Sequence, residues 1–279
     1  MAQHPALFFA GAVVFSFFGE EGGESEGGGI TGAVPPGGSP AAPLPRGAAI
    51  HTDTRHFHTQ PGGAGEVQKL GIGSSAAVCT ATCAAIAEFL DREFDASQPL
   101  TAHRLLQGKS GSGLDVAAAC RGGVIRFQAG ESSAIEWPEA LHYRYFWTGK
   151  AAKTTEHLVR FADWRASADT SSLDALCQVS ERLFADPGLD QLREYVDRLK
   201  SMDIAAGLGI FSEAHDRLHA LANQTQVVYK PCGAGGGDIG IALSDDPTHL
   251  EELITLATRD SFLTLDLEIA AHGVHRIRS

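Results

Sequence analysis

Positive charge is scarce in this chain. Its 22 Lys and Arg stand against 34 Asp and Glu, a formal net charge of −12. That balance excludes the broad basic face which nonspecific nucleic-acid binding needs to displace counterions. An anionic ligand must instead be met by cations gathered at one place, because global attraction will not supply them. Paired cysteines are missing as well. Cys79, Cys83, Cys120, Cys177 and Cys232 make an odd count with no Cys-x-x-Cys spacing, which argues against a disulfide scaffold and for reduced thiols in a cytoplasmic protein. Cys79 and Cys83 are four apart on an expected helix, but no histidine or further cysteine flanks them, so packing is the reading. Long apolar runs are absent too. PALFFAGAVVFSFFG, from residue 5, is about 15 residues long and short for a membrane-crossing helix. Acidic EEGGESEGGG follows and no basic leader precedes, so neither a span nor a signal peptide is expected.

What is present is the composition of a soluble globular protein. The 279 residues, 43% of them hydrophobic, suffice for one large domain or two modest ones. Residues 19–65 are crowded with Gly and Pro, show almost no apolar periodicity and are expected to be irregular. Order resumes at QKLGIGSSAAVCTATCAAIAEFL, a glycine turn opening a helix of about fifteen residues. A helix ending at Gly108, a second opening near Leu114 and stopped by Gly122 and Gly123, and a strand Val124–Phe127 come next. LHYRYFW reads as a strand. Leu173, Leu176, Val179 and Leu183 mark one amphipathic helix, and Leu189, Leu192, Val196 and Leu199 another. A third helix is expected at about 211–222. TQVVYK and IGIAL are strands flanking the loop PCGAGGGD. Thr248 and Glu251 suggest a capping box for a helix over 249–258, and FLTLDLEI is a last strand. Helices and strands mix without regular alternation, which predicts an α+β protein.

Three glycine loops carry the chemistry. GIGSSAA lacks the Gly-Lys-Ser/Thr of a Walker loop. A helix N-terminus nevertheless offers unpaired N–H groups and a partial positive charge to an anion. QGKSGSGLDVAAAC places Asp115 in the first turn of a helix, where a carboxylate could simply offset the dipole. KPCGAGGGD has more glycine than an ordinary turn requires. The lysines point the same way. There are six against sixteen arginines, and Lys69, Lys109, Lys150, Lys153 and Lys230, all but Lys200, lie in or beside glycine loops or the WTGKAAKT turn. In an acidic chain, that concentration suits capture of polyphosphate. HTDTRHFH, with His51, Asp53, His56 and His58, could meet a metal, but a solvated loop is the expected reading. Trp147 and Thr148 read as strand-end packing and a turn.

In this order, KLGIGSSAAV, AHRLLQGKSGSGLDVAAA and KPCGAGGGDIGIAL resemble the motifs of the GHMP kinases. WTGKAAKT and the aspartate closing GAGGGD are similar to the phosphomevalonate kinase branch of that superfamily. The resemblance covers roughly residues 50–279. It implies two α+β domains, the first like domain 2 of ribosomal protein S5 over 1–138 and the second ferredoxin-like over 139–279. The family's opening Pro-x-x-Lys strand has no counterpart before Lys69, so the first strands are expected to be incomplete. The implied reaction is transfer of the ATP γ-phosphoryl group, with Mg²⁺, to 5-phosphomevalonate. The resemblance puts Lys69 and Asp115 at the reacting centre and Gly71, Gly73, Ser74, Ser75 and Ala76 on ATP, with Ser75 also on the metal. It puts Lys109, Ser110, Ser112, Gly235, Gly236, Gly237 and Asp238 around the acceptor. The alternatives are mevalonate kinase or another small-molecule kinase of the superfamily, and a non-catalytic nucleotide-binding remnant. A small-molecule substrate is the expected partner, with neither nucleic acid nor membrane.

Overall fold

The computed structural model describes residues 50–59, 67–107, 112–128, 130–150, 154–167 and 171–277. The sequence first folds into two short ladders and three helices. Strands β1 (His58–Thr59) and β2 (Gln68–Lys69) pair antiparallel, with His58 opposite Lys69. Helices α1 (Ser74–Phe89), α2 (Ser97–Leu106) and α3 (Leu114–Arg121) pack together, and the hairpin β3 (Val124–Gln128) and β4 (Glu131–Ile135) follows α3. The small residues of α1 and α3 permit this close packing; Ala76, Ala87, Ala118 and Ala119 are all buried.

The rest of the chain builds one antiparallel sheet, ordered β6-β7-β5-β8, from β5 (His142–Trp147), β6 (Val228–Pro231), β7 (Ile239–Ser244) and β8 (Leu263–Leu265). The period of two sorts its side chains cleanly. Tyr145, Trp147, Ile239, Ile241 and Leu243 face a core shared with α5 (Ser171–Ala185) and α6 (Leu189–Ala206). Phe146, Tyr229 and Ala242 face the opposite core, made with α7 (Glu213–Gln224) and α8 (Pro247–Arg259). Burial on both faces explains why IGIAL is apolar without alternation. A further helix, α4 (Thr154–Ser167), precedes α5 and contacts α6.

The last described residues return to the first helices. Gly123 N–H donates to Ala270 O at 2.7 Å, Gly273 N–H to Arg121 O at 3.0 Å and Val274 N–H to Ala119 O at 2.9 Å. Gly122 and Gly273 stand where these backbones touch, and a Cβ on either would collide with the other segment. Gly122 therefore does more than stop α3.

Several expectations are corrected here. The residue capping α8 is Asp246, whose carboxylate accepts from Thr248 N–H at 2.8 Å. Pro247 occupies the first helical position, with its φ already suited to it, so Thr248 stands inside the helix. FLTLDLEI is strand only over Leu263–Leu265, because the chain then leaves the sheet edge for α1 and α3. Helix α4 and strand β4 were not expected. ESSAI has a single strong apolar residue, and its strand is largely exposed. Of residues 19–65, only 50–59 fall among the described ones. There HTDTRHFH forms a local turn, with Asp53 paired to Arg55 at 2.6 Å and His58 Nδ1 2.9 Å from Thr54 O. No group of three metal-ligating side chains occurs among the described residues, and no helix among them is long and apolar enough to cross a membrane.

Candidate active site between two glycine loops

The site begins at Gly73, which caps α1 with φ of 77°. Glycine adopts this left-handed conformation without the Cβ clash that other residues meet. The first helical bond runs from Ala77 N–H to Gly73 O at 3.1 Å, and no side chain caps the helix. The amides of Ser74, Ser75 and Ala76 thus form an uncapped helix start, a place where an anion gains from both hydrogen bonds and the dipole. Ser74 and Ala76 are buried, while Ser75 is exposed.

Three side chains converge on this helix start. Asp115, in the first turn of α3, stands beside Gly73, its Cγ 3.9 Å from where a Cβ would be. Buried His103 of α2 shares a hydrogen bond with Ser75 Oγ, Nε2 to Oγ 3.1 Å. Asp238, from the loop between β6 and β7, lies directly on Gly71, and a Cβ there would overlap its carboxyl group. Gly71 is glycine for this close approach and for its φ of 73°.

The electrostatics of Asp115 are those of a recess. Surrounding protein raises the carboxyl above its ordinary range, while His103 pulls the other way. Its side chain nevertheless reaches solvent. Lys69 is exposed on β2, and the two form no ion pair; the group that opposes the rise at Asp115 is His103.

The second glycine loop is tied down through its backbone. Gly235 N–H donates to Cys232 O at 3.1 Å and Gly236 N–H to Ile210 O at 2.9 Å. Asp238 N–H donates to Lys150 O at 2.6 Å, and Asp238 O accepts from Thr148 N–H and Thr148 Oγ1–H, both at 2.9 Å. Asp238 itself has a positive φ of 55°. Thr148 thus does more than end a strand: it holds the loop that carries Asp238.

The other expected residues divide. Ser112 Oγ accepts from Leu114 N–H at 3.3 Å and so helps start α3. Lys109 and Ser110 lie outside the described residues, as does Lys153. Lys230 is buried, and its Nζ donates to Pro231 O at 2.8 Å, so it presents no surface charge to an anion. Sequence reading missed His103, His215 and the carbonyl of Lys150. His103 stood within the quoted AHRLLQGK; for the others, the decisive partner is far away along the chain.

Residues 54–123 match the family "GHMP kinases N terminal domain". Over 281 residues the chain is 29% identical to phosphomevalonate kinase of Streptomyces sp. (strain CL190), covering 84% of this chain and 70% of that protein. Among solved structures, it resembles Streptococcus pneumoniae phosphomevalonate kinase in complex with phosphomevalonate and AMPPNP. That match has a TM-score of 0.58 and 19% identity, over 72% of this chain and 69% of the other. L. major mevalonate kinase in complex with R-mevalonate gives a TM-score of 0.55 and 18% identity, over 68% and 62%.

Proposed function

We propose, for a chain that has the GHMP kinase fold and is similar to those kinases in sequence, that it transfers the γ-phosphoryl group of ATP to 5-phosphomevalonate. The products are ADP and 5-diphosphomevalonate, in the mevalonate route to isoprenoids. One observation carries the reading: an uncapped helix start met from two sides by Asp115 and Asp238. In this reading residues 1–138 form the ATP-binding domain and 139–279 the second domain, which contributes Asp238.

The donor set fits a nucleotide bound with a divalent cation. Two carboxylates beside a phosphate loop would repel a polyphosphate, and Mg²⁺ bound by one or two carboxylates plus phosphate oxygens removes that repulsion. Asp115, Asp238 and the Ser75 hydroxyl would hold it, and when bound it neutralises charge on the transferring group. Gly71, Gly73, Ser74, Ser75 and Ala76 take the nucleotide phosphates through backbone N–H groups. The acceptor, a phosphate monoester with a second pKa near 6, is already largely dianionic at neutral pH. It needs positioning more than a general base. Asp115 would orient the cation, and Lys69 meets the charge developing at the phosphoryl oxygens. The acceptor is assigned to Lys109, Ser110 and Ser112 and to the loop Gly235, Gly236 and Gly237.

The deciding measurement is ADP release with phosphomevalonate, mevalonate, homoserine and galactose as acceptors. Turnover on phosphomevalonate alone is expected. Turnover on mevalonate but not on its phosphate would move the reading to the sister kinase. ATP binding by calorimetry without turnover on any of the four would favour a nucleotide-binding role.

A further inference from the structure

Behind the second glycine loop lies a histidine that is closed off from solvent. His215 of α7 is wholly buried, with Nε2 3.0 Å from Gly237 O and Nδ1 2.7 Å from Tyr229 Oη. A carbonyl oxygen can only accept, so Nε2 must carry the proton and donate to Gly237. Nδ1 is then an acceptor, and the Tyr229 hydroxyl must be its donor. One tautomer satisfies both contacts.

The bond to Gly237 matters because of what shares its peptide plane. Gly237 C=O and Asp238 N–H are the two ends of one rigid amide. His215 holds the first end, and Lys150 O accepts from the second at 2.6 Å. Thr148 then fixes the next carbonyl, that of Asp238. The positive φ of Asp238 and the place of its carboxyl over Gly71 are set by these three anchors. The other half of the loop is braced in the same way. Buried Asp203 accepts from Ile210 N–H at 2.9 Å and Phe211 N–H at 2.8 Å, and Ile210 O in turn accepts from Gly236 N–H.

We infer that His215 is a positioning residue for phosphoryl transfer, acting through the Gly237–Asp238 peptide to hold the Asp238 carboxyl over the first glycine loop. This inference rests on the kinase reading above for its catalytic consequence, but the clamp itself does not. Burial keeps His215 neutral, with its pKa pushed down to about 4; Lys230 adds to the depression, and Asp216 and the Gly237 carbonyl oppose it. The single tautomer is therefore retained at neutral pH.

Two substitutions separate the two nitrogens in the full chain. His215→Gln places an amide N–H near Nε2 and can still donate to Gly237. His215→Asn places an oxygen near Nδ1, keeps an acceptor for Tyr229 and loses the Gly237 donor. The expected result is a kcat within about threefold of wild type for Gln and at least about tenfold lower for Asn, with the nucleotide KM little changed. Hydrogen exchange of the amides in 233–240 should accelerate in Asn and stay near wild type in Gln. Equal turnover and equal exchange in the two variants would overturn the inference. Should both unfold, Tyr229→Phe removes one oxygen only and, by leaving the imidazole free to carry its proton on Nδ1, should loosen 233–240; unchanged exchange there would also overturn it. In wild type, nitrogen NMR should find His215 protonated at Nε2, and protonation at Nδ1 would contradict the clamp. Absence of turnover in wild type would defeat the kinase reading, while exchange and tautomer would still decide the clamp.

Discussion

The two glycine loops have similar composition and opposite construction. The first, at 71–73, leaves the amides of a helix start uncapped. The second, at 233–238, has turned its backbone inward onto Cys232, Ile210, Lys150 and His215, and sends out one side chain, Asp238. Glycine serves two purposes here. In the first loop it admits the Asp238 carboxyl at Gly71 and starts α1 at a positive φ; in the second it lets the loop pack tightly enough to become a rigid mount. Gly235 shows the second use, since a Cβ there would lie 2.6 Å from Ile210 O. Density of glycine alone therefore does not say whether a loop binds or presents.

The comparison breaks most sharply at Asp115, the carboxylate beside the open loop. Asp115→Asn keeps shape and removes charge. Steady-state kinetics should show kcat lower by ~10²–10⁴-fold with a melting temperature near that of wild type. Undiminished turnover would make Asp115 a dipole partner of α3 and nothing more.

The pinned loop should reveal itself in pH-dependent stability. His215 has its pKa lowered from 6.5 to about 4 in the folded protein. Between those values the unfolded chain binds a proton that the folded chain does not, so stability rises with pH. Its contribution is complete above pH 6.5, is lost progressively as pH falls towards 4, and is constant below. The loss should be about 3 kcal/mol, and urea titrations across that range should show the slope reduced in His215→Gln. An unchanged slope would assign the acid sensitivity elsewhere.

Glycine substitutions sharpen the contrast further. Gly235→Ala combines a φ of 72° with a collision against Ile210 backbone, whereas Gly149→Ala has a φ of 82° and open space. Thermal melts should give losses of about 2–3 kcal/mol for the first and about 1 kcal/mol for the second. Equal losses would mean that the second loop is looser than its hydrogen bonds imply. The smallest expected effect on catalysis among the site residues is at Lys69, exposed beside the open loop. Lys69→Met should lower kcat about tenfold, chiefly in kcat and not in the KM for ATP. Lys200→Met, which removes a surface pair with Asp216, should leave turnover unchanged.

Much of this was legible in the sequence, for identifiable reasons. Leu173, Leu176, Val179 and Leu183 repeat at helical spacing, and all four are buried in α5. Asp115 falls in the first turn of a helix, as the Gly-Ser-Gly turn before Leu114 implies. What escaped reading depends on partners distant in sequence. His215 looks like one more histidine in EAHDRLH, and only the folded sheet brings Tyr229 and Gly237 to it. The lysine concentration was a partial guide, since local sequence gives no sign that Lys230 lies in a two-sided sheet and is buried there. Helix α8 was found but its first turn misread, because a Thr–Glu spacing competes with an Asp–Pro pair and the proline fixes the position.

The backbone contacts of 270–274 with α3 and its following turn carry a consequence for the order of assembly. Helix α3, whose Asp115 stands beside the open loop, and the turn that follows it bond to residues made some 150 positions later, about half the chain by count. Translation emits the N-terminal segments first, and contacts of such long sequence separation form slowly. Helix α3 must therefore wait for these bonds until synthesis has passed Val274. Maturation of the open loop is timed by the far side of the molecule.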